Sequence, residues 1–138
     1  MRPILLAAAF CLAVPALAQQ TPATEGARVY FVNLKDGDVV SSPVKVVFGL
    51  SGMEVAPAGT EKPNSGHHHL LINAALEGAA LTESIPADDN HRHFGGGQTE
   101  ATIELPAGSH TLQLVLGDHF HVPHVPPVAS ERITITVK

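Results

Sequence analysis

The chain has 138 residues, with Lys+Arg 8, Asp+Glu 13 and a formal net charge of -5 at pH 7. The length predicts one domain, and the acidic balance argues against nucleic acid or an anionic membrane surface as a partner, because both recruit stripes of Lys and Arg. Histidine is the unusual component, since 9 His outnumber Lys and Arg together.

The first eighteen residues, Met1–Ala18, have the features of a secretory signal peptide. A basic start is followed by an apolar run over 4–14 and by small residues at Ala16 and Ala18, as at a cleavage site. The run is too short for a membrane-spanning helix. We therefore predict a periplasmic or secreted protein whose mature chain does not insert into a membrane. Because Cys11 is the only cysteine, the mature chain has neither a disulfide nor a thiolate ligand.

Small and polar residues over 19–27 predict a flexible leader, which leaves 28–138 as a single domain. Short segments rich in β-branched and aromatic residues follow, separated by Gly and Pro. These segments are 28–34, 44–50, 67–73, 100–105, 109–117 and 131–137.

Alternation of apolar and polar residues is clearest in the last segment, where Ile133, Ile135 and Val137 are predicted to point inward. A short helical turn is possible over 73–81, although Gly78 weakens it. Six or seven short strands between turns predict an all-β fold, an antiparallel β-sandwich of immunoglobulin-like architecture.

Eight of the nine histidines fall into three short segments. In an extended chain, residues i and i+2 share a face, so each His-x-His presents a pair of imidazoles that can converge on one ion. The segments fall at predicted strand ends and in a Gly-rich connection, where a rigid sandwich usually carries its function. They contain the six predicted metal ligands His67, His69, His91, His93, His121 and His124.

The ligand set favours Cu(II) or Zn(II), because imidazole suits both ions and the mature chain offers little sulfur for Cu(I). Asp118 and the pair Asp88 and Asp89 are candidates for orienting the ring N–H groups of the imidazoles. Asp118 is equally well interpreted as a turn residue after Gly117. The isolated His110 is interpreted as an exposed or packing residue. We thus predict a metal-binding domain without catalytic residues, for binding, transfer or buffering of the ion.

Three alternatives remain open at the level of sequence. The histidines could form a solvated run or respond to pH without a metal. The chain could be an envelope module that binds a protein partner through its His-rich end. A metal-dependent hydrolase or oxidoreductase is the third alternative, because three His and an open position make a catalytic arrangement.

Five segments of the chain taken together resemble a known family. They are GHHHLLI at 66–72, HRHFGGGQTE at 91–100, LQLVLGD at 112–118, HVPHVPPV at 121–128 and SERITI at 130–135. They resemble a family of small exported bacterial proteins defined only as a domain of unknown function. The resemblance implies a compact secreted domain in which His121 and His124 match a His-x-Pro-His element, while His119 falls at a variable position. It implies no activity.

Overall fold

The computed structural model describes residues 19–138, and the predicted signal peptide lies outside the described residues. Nine strands form where the sequence is rich in β-branched and aromatic residues. They are β1 (Arg28–Phe31), β2 (Val39–Val40), β3 (Val44–Ser51), β4 (Glu54–Val55), β5 (Ser65–Ile72), β6 (His91–His93), β7 (Glu100–Ile103), β8 (Gly108–Gly117) and β9 (Ile133–Val137). Among the described residues, one 3₁₀ turn, Gly78–Leu81, falls within 73–81, where a short helical turn is predicted.

The strands form two sheets. The smaller has the antiparallel order β1-β3-β7, and the larger has the order β2-β9-β8-β5-β4, with β6 also paired to β5. The long central pairs are antiparallel, while β2 and β4 each add a short parallel pair at opposite edges of the larger sheet. The predicted all-β sandwich is confirmed, with a larger sheet that is mixed at its margins.

The core lies between the two sheets. Its side chains come from alternate positions, as in Val44, Val46 and Phe48 of β3 and Leu112, Leu114 and Leu116 of β8. In β9 the apolar residues are buried and Thr134 and Thr136 are exposed, as predicted. This burial of apolar area supplies the main favourable contribution to folding, since the described chain holds no cysteine.

Strand β5 departs from simple alternation because all eight of its residues are buried. One side of the strand faces the core, and the other is covered by a second apolar cluster in which Leu71 and Val115 meet Ile85. Ile85 belongs to the long connection between β5 and β6. The outer face of β5 is therefore shielded from water although it lies outside the sandwich core.

Residues 19–27, predicted to be a flexible leader, make specific contacts in the structure. Pro22 forms a parallel bridge with Val125, and the flanking N–H and carbonyl groups hydrogen-bond along it. The Gln20 amide donates to the carbonyls of Leu81 and Pro123. The amino-acid composition of residues 19–27 does not predict these contacts. They are hydrogen bonds of backbone groups and of a polar side chain, and they need no apolar residue. Within residues 19–138, no helix is long and apolar enough to cross a membrane.

Candidate metal centre

Two of the clustered imidazoles come from the outer face of β5. Residues 67, 69 and 71 share that face because side chains alternate along a strand. His67 and His69 are each 1% exposed, and their Nε2 atoms lie 2.9 Å apart. The pairing with β8 sets His67 opposite Gly117 and His69 opposite Val115, which fixes the backbone beneath both rings.

The third imidazole comes from β6, which runs antiparallel beside β5. The register sets His93 directly opposite His69, so that both side chains lie on the outer face. The ring of His93 lies 4.9 Å from that of His67 and 5.2 Å from that of His69, between centroids. Gly95 makes room for it, since a Cβ there would lie 2.7 Å from His93 Nε2.

His121 supplies the fourth imidazole from the tight turn that follows β8. Its backbone has a φ of 64°, in the left-handed region. Asp118 holds the turn, because its Oδ1 accepts hydrogen bonds from the N–H groups of Phe120 and Val122. The Thr21 hydroxyl donates to Oδ2 at 2.7 Å. The turn thereby points His121 Nδ1 at His67 Nε2, 3.0 Å away.

These four histidines converge on one point. One ring nitrogen of each lies within 4.8 Å of the corresponding nitrogen of every other. An ion bound to imidazole at about 2.0–2.1 Å separates tetrahedral ligand atoms by about 3.3 Å. The shortest pairs here, 2.9 and 3.0 Å, are slightly tighter than that spacing. The remaining pairs lie within 4.8 Å, so rings that are farther apart than about 3.3 Å must close toward that spacing for one ion to contact all four nitrogens.

The protonation chemistry of the cluster also suits a cation. An imidazole nitrogen offers either one N–H or one lone pair. His67 Nε2 faces both His69 and His121, so one proton at this atom serves only one good hydrogen bond at a time. A cation at the centre would accept all the lone pairs together.

Three imidazoles of the cluster, His67, His69 and His93, have lowered pKa values, which favour the neutral form. Burial, followed by repulsion from His121 and His93, lowers the pKa of His67 to about 4. Burial and the neighbouring imidazoles lower the pKa of His69 to about 2. Burial and His121 also lower the pKa of His93. Neutral imidazole is the form that binds a metal ion, so the site is ready for coordination at neutral pH.

Gly117 leaves the space that the cluster fills. A Cβ at this position would lie 2.6 Å from His69 Nε2 and 3.4 Å from the Cα of His121. From the sequence alone, the Gly-rich run that contains Gly95 is expected to form a tight turn, and Gly117 has no predicted role at the site. Their role depends on which side chains approach them in the fold, and the linear sequence carries no signal for that.

Two predicted ligands, His91 and His124, lie outside the cluster. His91 shares the outer face but lies two residues before His93, at the start of β6 and opposite Leu71. Its Nδ1 contacts Asp88 Oδ1 at 2.8 Å. His124 is fully buried, with Nε2 3.2 Å from the Ser65 carbonyl oxygen. The i, i+2 rule does place His91 on the same face as His93, but the register sets it opposite Leu71, beyond the His67–His69 pair, so it does not reach the cluster.

The remaining histidines have other surroundings. His68 points into the sandwich core, 5.1 Å from Phe48 between ring centroids. His110 packs at the start of β8, where Nε2 contacts the Pro106 carbonyl, in agreement with its interpretation as a packing residue. His119 stacks on exposed Phe120.

The acidic candidates Asp118 and Asp88 also differ. Asp118 is the turn residue that holds His121 in place. Burial opposes its ionisation, but bonds from Thr21, Val122 and Phe120 outweigh this effect and lower the Asp118 pKa. Asp88 orients His91, which is outside the cluster. Only Asp118 therefore acts on the cluster, and it does so through the backbone of the turn.

Comparison with known proteins gives a family and no activity. No curated protein and no solved structure matches the chain. A family model described as "Domain of unknown function (DUF4399)" matches residues 46–138, a stretch that includes all four clustered histidines. The chain therefore belongs to the DUF4399 family.

Proposed function

We propose that the protein is an exported domain that binds one Cu(II) or Zn(II) ion for storage, buffering or transfer, without catalysis. The ligands are His67, His69, His93 and His121. The observation that carries the proposal is the convergence of four imidazole nitrogens within 4.8 Å. Export is supported by the signal-peptide features of residues 1–18.

The choice of ion follows from the donors. Four neutral nitrogen ligands match the preference of Cu(II) and Zn(II), and hard ions such as Mg²⁺ or Ca²⁺ prefer oxygen. The rings of His67 and His69 on strand β5 and the ring of His121 on a hydrogen-bonded turn give three preorganised donors of the four. Cu(II) is expected to bind more tightly than Zn(II), since affinities of divalent ions for nitrogen sites follow that order.

The non-catalytic assignment rests on the acidic residue at the turn. Both carboxylate oxygens of Asp118 accept hydrogen bonds from Thr21 and from backbone N–H groups. A carboxylate engaged in this way is a poor general base. The chain would hold and release an ion rather than activate a bound water.

Metal analysis and calorimetry test the proposal. Untagged protein is stripped with chelator, dialysed and titrated at pH 7.5 with Cu(II) and with Zn(II). We expect one equivalent to bind to the wild type and to His124→Ala, a histidine outside the cluster. The double substitution H67A/H69A should bind none. Equal binding by H67A/H69A and the wild type would contradict the proposal.

A further inference from the structure

The four histidines differ sharply in how open they are to solvent. His67 and His69 are buried on the central strand β5, His121 is half-buried, and His93 is exposed. An incoming molecule therefore meets His93 first. A metal ion held by all four would be reached from the His93 side.

The backbone segments that carry the four rings also differ in how firmly their hydrogen bonds hold them. β5 is flanked by β8 on one side and by β4 and β6 on the other, which fixes His67 and His69. The hydrogen bonds of Asp118 fix the turn that carries His121. His93 instead is the last residue of three-residue β6, and the run Gly95–Gly97 follows one residue later.

The contacts among the four imidazoles also set His93 apart from the other three. Hydrogen-bond distances of 2.9 and 3.0 Å join His67 to His69 and to His121. His93 joins through ring packing, with centroids 4.6 Å from His121 and 4.9 Å from His67. Behind it lies Gly95, which presents no side chain to hold the ring. Rotation of His93 out of the cluster would thus leave three donors in place, two of them buried and the third, His121, half-buried.

From this we infer that His93 is the replaceable ligand of the centre. The ion stays on His67, His69 and His121, while a nitrogen donor of an incoming acceptor takes the position of His93. This inference rests on the proposed function and assigns the route by which the ion is exchanged. In the exchange one metal–nitrogen bond to His93 breaks and one to the incoming donor forms, with no change in the oxidation state of the ion.

Ligand-exchange kinetics test the inference, with imidazole as the incoming donor and EDTA as the final acceptor. His93→Ala should keep one equivalent of metal with an affinity about tenfold or more below wild type, because three of four ligands remain. Release to excess EDTA should be at least about tenfold faster. Added imidazole should slow that release again and change the spectrum of the Cu(II) form by filling the vacated position.

Two further variants separate ligand loss from structural damage. Gly95→Ala keeps the imidazole but places a Cβ 2.7 Å from His93 Nε2, so the ring should swing outward and release should accelerate. His91→Ala, two residues away on the same strand and outside the cluster, should behave as wild type. Thermal unfolding of each metal-free variant checks that the fold is kept.

The outcomes are distinguishable from failure of the proposed function. If wild type binds no metal, the proposed function fails and this inference with it. If wild type binds metal but His93→Ala loses it as completely as His69→Ala, the metal centre stands and the replaceable ligand is overturned. Release from His93→Ala at the wild-type rate, or no response to imidazole, overturns the inference as well.

Discussion

The two faces of strand β5 place neighbouring histidines in opposite surroundings. On the inner face His68 lies among apolar side chains, beside Phe48. On the outer face His67 and His69 meet two further imidazoles. Three identical residues in a row thus divide into one core residue and two candidate ligands. Strand alternation, rather than the presence of a histidine run, decides which imidazoles can bind a metal.

The inner face also carries an energetic cost. Neither ring nitrogen of His68 has a hydrogen-bond partner in the described structure. A buried polar group without a partner costs about 1–3 kcal/mol. His68 therefore weakens the core, whereas the Nε2 atoms of His67 and His69 on the outer face lie within hydrogen-bonding distance of each other.

The largest expected effect is the difference in metal affinity between a substitution on the outer face of β5 and one on its inner face. His69→Ala removes a buried ligand, and we expect the affinity for Cu(II) to fall by more than about 100-fold, or about 2.8 kcal/mol. His68→Leu should leave the affinity unchanged and raise the free energy of unfolding by about 1 kcal/mol, because it removes two unsatisfied nitrogens. Calorimetric titration and urea unfolding measure the two quantities.

A fall in affinity for His68→Leu as large as that for His69→Ala would break the comparison between the faces. It would mean that the whole strand, rather than its outer side chains, determines binding.

A smaller effect should follow from adding one methyl group at a glycine on either side of the larger sheet, Gly117 on the outer side and Gly66 on the core side. Gly117→Ala places a Cβ 2.6 Å from His69 Nε2, so we expect it to displace that ring and to weaken metal binding by about tenfold. Gly66→Ala places its Cβ 2.7 Å from Leu116 Cγ on the core side. It should cost about 1–3 kcal/mol of stability by overpacking. Because this Cβ also lies 2.7 Å from the Gly117 carbonyl oxygen but contacts no imidazole, it should weaken metal binding less than Gly117→Ala does. The same binding and unfolding measurements apply.

Equal loss of affinity in these two glycine variants, after correction for the folded fraction, would contradict the assignment of Gly117 to the outer site.

The inner face is also expected to contribute, through His68, to the pH dependence of the free energy of unfolding of the metal-free protein. Burial lowers the pKa of His68 to about 4 from an ordinary value of 6.5. The unfolded chain therefore binds a proton at this imidazole more readily than the folded chain does. The contribution of neutral His68 to the free energy of unfolding is thus fully present above pH 6.5 and is lost as the pH falls toward 4. Each such histidine adds at most about 1.4 kcal/mol per pH unit to the slope.

Urea unfolding in the presence of chelator, repeated between pH 7 and pH 4.5, measures that slope. His68→Leu should flatten it while the outer histidines keep part of it. An unchanged slope would show that His68 is not buried in the neutral form.

The sequence predicted the sandwich because the information is local. Alternation in β9 and β8 identifies the core-facing side of each strand without knowledge of its partners. The short strands β2, β4 and β6 were missed as strands, since two or three residues carry no period. Their positions depend on pairing with longer neighbours, which is a tertiary effect.

The candidate site was predicted in part. Pairing within His67–His69 is a property of one strand, and the two Nε2 atoms lie 2.9 Å apart in the structure. The grouping of His93 and His121 with that pair needed the β5–β6 register and the left-handed turn at 121, which spacing alone does not specify. His124 was grouped with His121 by proximity in sequence, but the turn directs it toward the carbonyl oxygen of Ser65.

The bond from the Thr21 hydroxyl to Asp118 bears on where the folded unit begins. A truncated chain that starts at Arg28, at the first strand, would lose this bond. It would also lose the two main-chain bonds that join Thr21 and Ala23 to Val125 on the far side of the turn. We therefore expect a chain that keeps residues 21–27 to hold the loop behind His121 more firmly than one that starts at Arg28.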